Sequence, residues 1–171
     1  VSGPWDRGTL PLDRLQADLT QTADRWSLER LNATLGGGHL EAQGHVSTDA
    51  SGTVSMSTLR GQAELRLNAI DPSRLWTALA SQRVDGSLRA GMPQPGAIAF
   101  DIDLRPQGTN DRSSQRLRLL GPTQAKGDWR ADGQILTLDT ARIRVADAQL
   151  DIRGEADLAQ HRLQGEARLA T

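Results

Sequence analysis

The sequence predicts a mainly β fold: a curled antiparallel sheet folded into a taco-like hydrophobic trough, with one short helix near residues 72–80. Three observations carry that prediction. Apolar residues alternate with polar ones over most of the chain, the mark of half-buried strands. Three of the alternating segments share a one-residue slip of parity, and six apolar-x-Gly-x-apolar units place glycine inside strands.

The slip is seen by aligning Leu10–Leu19, Trp26–Leu35 and Leu136–Val145. Each has apolar residues at relative positions 1, 3, 6, 8 and 10 and an acid at position 4 (Asp13, Glu29, Asp139). The single step of three, from Leu12 to Leu15, Leu28 to Leu31 and Leu138 to Ala141, would throw later side chains onto the other face. A β-bulge absorbs it, bending the strand while keeping its apolar set on one side.

Taken in order, the first strand runs through Leu10, Leu12, Leu15, Ala17 and Leu19, and the second through Trp26, Leu28, Leu31, Ala33 and Leu35. Gly36-Gly37-Gly38 then turns the chain, and Leu40, Ala42, Gly44 and Val46 return as the other arm of a hairpin. Leu59, Gly61 and Ala63 open a strand that continues through Leu65, Leu67 and Ala69. Asp71 can cap a helix and Pro72 suits its first turn, and Leu75, Trp76 and Leu79 share one helical face. Such a run of ~9 residues needs tertiary support, so its Trp76 face is expected to pack on the sheet or over one end of it.

Val84, Gly86 and Leu88 form the next strand, and Ile98, Phe100, Ile102 and Leu104 another, ended by Pro106. Residues 106–115 are rich in Gly, Asn, Asp, Arg and Ser and read as a loop, with a short strand expected at Leu117 and Leu119. Ala125, Gly127 and Trp129 precede the third slipped strand, which carries Leu138, Ile143 and Val145. After Ala146-Asp147-Ala148 the chain returns through Leu150, Ile152, Gly154 and Ala156, and a last strand carries Leu163, Gly165, Ala167 and Leu169. The six in-strand glycines (Gly44, Gly61, Gly86, Gly127, Gly154, Gly165) imply a sheet that curls toward its apolar side, or else relief of crowding in a tight core.

Composition narrows the function. Of the 171 residues 37% are hydrophobic but only 3% aromatic, so any core is aliphatic. Net charge is −1, from 20 basic and 21 acidic residues that alternate along the strands, whereas a nucleic-acid surface needs a gathered basic excess. No cysteine is present, which excludes disulfides and thiolate metal sites. No apolar run reaches the ~20 residues that cross a bilayer as a helix.

No catalytic constellation emerges, and neither an enzymatic activity nor a cofactor is expected. His39 and His45 lie six apart in one strand, on its polar face and too distant to share a metal ion. Asp101 and Asp103 have the spacing of paired carboxylates but read as outward charges on an amphipathic strand. Gly36-Gly37-Gly38 lacks the Lys-Ser/Thr of a phosphate loop and reads as a turn.

The two longest recurring units are Leu28-Glu-Arg-Leu-Asn-Ala-Thr-Leu-Gly-Gly-Gly-His-Leu-Glu-Ala-Gln-Gly44 and Leu138-Asp-Thr-Ala-Arg-Ile-Arg-Val-Ala-Asp-Ala-Gln-Leu-Asp-Ile-Arg-Gly154. They resemble the repeats of the TamB (translocation and assembly module) family, within the AsmA-like superfamily of Gram-negative bacteria. Leu67-Asn-Ala-Ile-Asp-Pro-Ser-Arg-Leu75, then Val84-Asp-Gly-Ser-Leu88 and Asp103-Leu-Arg-Pro106, resemble that family's succession of strand, short helix and strand. The resemblance covers most of the chain except the loop near 106–115. It implies one periplasmic segment, residues 1–171, of a larger repetitive protein anchored in the inner membrane. It also implies a hydrophobic groove carrying phospholipid acyl chains toward the outer membrane, a BamA-type (TamA-like) partner engaged by the whole protein, and outer-membrane proteins as possible clients. No catalytic motif carries over.

The groove expected on this reading is lined by Trp26, Leu28, Leu31, Leu35, Leu40, Val46, Leu65, Leu67, Ile98, Phe100, Ile102, Leu138, Ile143, Val145, Leu150, Ile152, Leu163 and Leu169. A sheet with one aliphatic face must close on itself, meet a second sheet or take a ligand. The alternatives to lipid are therefore a chaperone-like scaffold that adds client strands to an open edge, and a filled barrel or sandwich acting as a spacer.

Overall fold

The structure is a computed structural model, which describes residues 3–47, 59–94, 96–108, 121–130, 134–145 and 147–170. Ten strands form one sheet: β1 (Leu12–Gln21), β2 (Arg25–Leu35), β3 (Gly38–Ser47), β4 (Arg60–Ile70), β5 (Arg83–Gln94), β6 (Ala97–Gln107), β7 (Thr123–Arg130), β8 (Ile135–Val145), β9 (Ala148–Asp157) and β10 (Arg162–Ala170). Each pairs antiparallel with its neighbours in sequence, so the order is β1 to β10 without a crossover. β1 and β10 are not joined, and the sheet stays open. Among the described residues no helix is long and apolar enough to cross a membrane.

All three expected slips are register shifts, between Leu12 and Arg14, between Leu28 and Leu31, and between Leu138 and Ala141. Two more, at Leu67/Ile70 and Gly91/Gln94, carry no repeated sequence pattern and were not expected. Gly36 and Gly37 take φ of 56° and 76°, the pair of positive values that a two-residue hairpin turn with the sheet's own twist requires.

The helix expected near 72–80 does not form. Only Pro72–Arg74 makes a 3₁₀ turn. The cause is Asp71, whose carboxylate does more than cap. It accepts from the Ser73 backbone N–H (3.0 Å) and hydroxyl (2.7 Å), and also from Ser81 Oγ (2.8 Å) and the Gln82 N–H (3.3 Å). Those last two bonds draw the segment's far end back to its start, which closes a loop where a helix would carry the chain away. Trp76, expected against the sheet, is 53% exposed. β6 also runs one residue past Pro106, which lies beyond Leu104, the last β6 residue paired with β7. The strand expected at Leu117 and Leu119, and the 106–115 loop from residue 109 onward, lie outside the described residues.

The core is small and sits at one end of the strands. Among the described residues only Ala33, Ile70, Ala80 and Val84 are buried hydrophobic residues. The 71–82 loop covers this end, with Ala80 inside it and a Leu75 methyl group against Gly36. The N-terminal arm fastens the loop, the Trp5 N–H donating to the Leu75 carbonyl (2.8 Å) and the Thr77 N–H to the Asp6 carboxylate (3.1 Å). The Thr77 hydroxyl donates to the same carboxylate and holds Asp6 below the ordinary carboxylate range.

Candidate functional site

The register gathers the aliphatic residues on one face, in rows that cross the sheet. One row runs Ala17, Leu31, Ala42, Leu65, Leu88, Ile102, Ala125, Ala141, Ile152 and Ala167, each paired with the next. A second contains Leu40, Leu67, Gly86, Leu104, Thr123, Ile143, Leu150 and Leu169. A third contains Leu28, Gly44, Ala63, Ala90, Phe100, Gly127, Leu138, Gly154 and Gly165. Toward the far strand ends Trp26 meets Val46, and Ile98, Trp129, Leu136, Ala156 and Leu163 follow one another. Leu35 pairs with Gly38 and Val145 with Ala148 at the opposite ends.

Every residue expected in the groove therefore has a place in this register. Leu15, Leu19, Leu88, Leu104, Trp129 and Leu136, read from the sequence as apolar strand positions but not assigned to the groove, share the face. The same alternation that identified Ile102 and Leu138 continues through Leu104 and Leu136, so the signal was there.

Most of these side chains are half-buried, and several are more exposed than that. Leu163 is 83%, Leu169 70%, Leu19 64% and Trp26 54% exposed. All ten strands belong to one sheet, so among the described residues no second sheet packs on this face.

The six in-strand glycines share one geometry. A Cβ built on Gly44, Gly154 or Gly165 would lie 2.6 Å from a backbone carbonyl oxygen of the neighbouring strand, and one on Gly86 2.5 Å. At Gly61 and Gly127 the carbonyls of His45 and Thr137 come closer still. The obstruction is the neighbour's main chain, not side chains from an opposing layer. Gly91, whose strand partners Gln62 and Ala99 flank it, belongs to the other face, and a Cβ there would find nothing nearer than 3.9 Å.

The charged face is laced by ion pairs both along and across strands. Glu64 lies 3.5 Å from Arg66 and 3.4 Å from Arg89, and Gln43 donates to it at 3.3 Å. Partial burial pushes the Glu64 carboxyl upward, but the two guanidinium charges outweigh it and hold the group below its ordinary value. A hydrogen bond from Arg105 does the same for Asp103, and one from Arg142 for Asp151. A recess of about 590 Å³, lined in part by Arg25, Gln43, Glu64, Arg89, Asp101 and Lys126, opens broadly on this side. Its charges are of both signs, which favours no single kind of ion. Asp101 and Asp103 both belong to this ladder, Asp101 paired in register with Arg89 and Lys126. His39 and His45 stand on the same side, opposite Asn68 and Gln62. Among the described residues no group of three or more His, Asp or Glu is placed to hold a metal ion.

What the arrangement offers chemically is a broad apolar surface backed by a charged face of both signs. Comparison with family models, with curated proteins and with solved structures finds no match for this chain.

Proposed function

We propose that this chain is a periplasmic segment of a TamB-like, AsmA-like envelope protein whose apolar face holds phospholipid acyl chains in transit between the inner and outer membranes. The observation that carries the reading is an unclosed ten-stranded sheet with aliphatic rows across one face and only four buried hydrophobic residues described. Apolar surface of that extent is stable in water only when something covers it.

The glycine geometry supports a trough as the shape of that face. In a flat sheet a Cβ stands clear of the neighbouring main chain. Here the neighbour leans over the apolar side at six places, while a Cβ on Gly91, on the charged side, would stand clear, a difference that would let the sheet curl toward its aliphatic face. Strands of about ten residues give a trough ~33 Å long in the strand direction. Each methylene buried in it contributes about 0.8 kcal/mol, so acyl chains are retained without polar recognition. In the full-length protein, an inner-membrane anchor would supply lipid at one end and a BamA-type partner would receive it at the other.

The test is lipid extraction and native mass spectrometry of the purified chain, wild type against Leu40→Asp/Ile152→Asp. Co-purifying phospholipid that the double substitution abolishes is the expected result. Lipid capture indifferent to those two charges refutes the groove. Binding of outer-membrane strand peptides that survives them would favour the scaffold instead.

A further inference from the structure

The charged face does not carry its charge evenly. One rung across its middle alternates in sign through Glu64, Arg89, Asp101 and Lys126. The next, from Ser27 to Gln164, holds two acids, Asp128 and Glu155, and no arginine. The outermost rung at that end of the strands is different. Arg25 opens β2, Arg60 opens β4, Arg130 closes β7 and Arg162 opens β10, all of them exposed, against one acid in the rung, Asp157. Among the described turn residues at that end, Asp24 adds one more acid. Both acids are engaged locally, Asp24 by the Thr22 hydroxyl (3.3 Å) and Asp157 by the Gln160 N–H (2.8 Å). The guanidinium groups are left in excess.

Two of the four tryptophans belong to the same lip of the sheet. Trp26 follows Arg25 and Trp129 precedes Arg130, so each indole stands on the apolar face one residue from a guanidinium. Indole rings suit a boundary between hydrocarbon and water. An arginine's long stem lets its charge reach around such a boundary while its methylenes stay on apolar surface.

The two lips are unequal. The 71–82 loop lies over the opposite strand ends, where Ala33, Ile70 and Val84 are buried. At the arginine lip Trp26 is 54% and Val46 39% exposed.

We propose that this lip holds the phosphodiester of a glycerophospholipid whose acyl chains lie on the apolar face. The inference rests on the acyl-groove reading and adds an orientation to it: phosphate at Arg25, Arg60 and Arg130, chains directed toward the end that the loop covers. Guanidinium groups hold phosphate oxygens through paired hydrogen bonds, and a phospholipid carries its phosphate where its chains meet water. Burial of the chains supplies the affinity, and the arginines discriminate between headgroups. No rung further in on the charged face offers an anion a comparable excess.

The test compares phosphatidylglycerol with diacylglycerol bearing the same fluorescent acyl chain, each bound from detergent micelles to the 171-residue chain. Far-UV circular dichroism verifies the fold of each variant. The wild type takes phosphatidylglycerol roughly fivefold more tightly, a preference that shrinks with added salt. Arg25→Gln/Arg60→Gln reduces phosphatidylglycerol to the level of diacylglycerol and leaves diacylglycerol unchanged. Arg66→Gln/Arg142→Gln, which removes the same charge from the middle of the face, preserves the preference. A nitroxide on the phospholipid headgroup quenches a protein whose only tryptophan is Trp26 more than one whose only tryptophan is Trp76. Equal quenching overturns the orientation. Equal capture of the two lipids by the wild type overturns the lip and leaves the groove standing, whereas capture of neither removes both. A preference that survives Arg25→Gln/Arg60→Gln, or falls as far in the mid-face variant, also overturns the proposal.

Discussion

Replacing Gly127 by alanine puts a methyl group where the structure has no room for one. The new Cβ would lie 3.0 Å from Phe100 Cζ, 3.1 Å from Leu138 Cα, and against the Thr137 carbonyl oxygen. Favourable carbon contacts lie at ~3.5–4.0 Å. The Phe100 ring can swing away, but the other two atoms belong to the main chain of β8, so relief requires β7 and β8 to separate. Overpacking of this kind costs about 1–3 kcal/mol. For a chain of this size each kcal/mol moves the melting temperature by roughly 2–4 °C, so a fall of roughly 2–12 °C is expected. Gly91→Ala is the matched control, a strand glycine on the opposite face with 3.9 Å of clearance. It restricts the unfolded chain without straining the folded one, contributing about 0.4–1 kcal/mol and a small rise. Thermal unfolding followed by circular dichroism measures both. Equal melting temperatures for the two variants would refute the claim that the sheet leans over its apolar side at Gly127.

Asp71→Ala removes the carboxylate that draws the 71–82 loop into a ring, at a cost of about 1–2 kcal/mol, comparable to the loss of a helix cap. Partial burial raises the Asp71 carboxyl, but hydrogen bonds from Ser73, Ser81 and Gln82 prevail and hold it below the ordinary value. A depressed folded value makes stability rise with pH, so this contribution is complete above the ordinary carboxylate range and fades as pH falls through the folded value. The acid side of a melting-temperature profile should therefore be shallower in the variant, and an unchanged slope would exclude Asp71 as its source. Trp26 is 54% exposed on the apolar face, so phospholipid brominated along its acyl chains should quench a share of the fluorescence that is missing from Trp26→Phe. Identical fractional quenching in the two proteins would place the lipid elsewhere.

The strands were legible because alternation is a local signal with period two, and the three bulges because a slip of parity leaves a trace when it recurs. The shifts at Leu67/Ile70 and Gly91/Gln94 leave no such trace. At the first, Ala69 takes a φ of 53° while its N–H donates to the Asp85 carboxylate at 2.8 Å. That carboxylate comes from the next strand, sixteen residues on, and no local pattern announces it. The helix failed as an expectation for a related reason. Asp71, Pro72 and the Leu75–Leu79 spacing all favour a helix locally, but Ser81 and Gln82 return to the same carboxylate and the longer-range contacts win. The residues expected in the groove fall on one face because period two also decides which face a side chain joins, and Leu88, Leu104 and Leu136 share that face in the register.

The distribution of small residues bears on what the proposed groove could accept. Four of the six in-strand glycines, together with Ala63 and Ala90, fall in the single row from Leu28 to Gly165. The adjacent row from Leu31 to Ile152 carries Leu65, Leu88 and Ile102. On the other flank stand Trp26, Val46, Ile98 and Trp129. A line of small side chains between two lines of large ones is where a sheet can bend most sharply, since Cβ atoms on the inside of a fold are driven together. The same line then leaves the most space above it. The residues that permit the bend would thus also form the floor along which an extended chain of methylenes could lie, with Phe100 and Leu138 as the bulky points along it. Glycine weakens a strand, and in the proposed trough these glycines would offset that cost by leaving a concave apolar side that the sheet's own side chains do not fill.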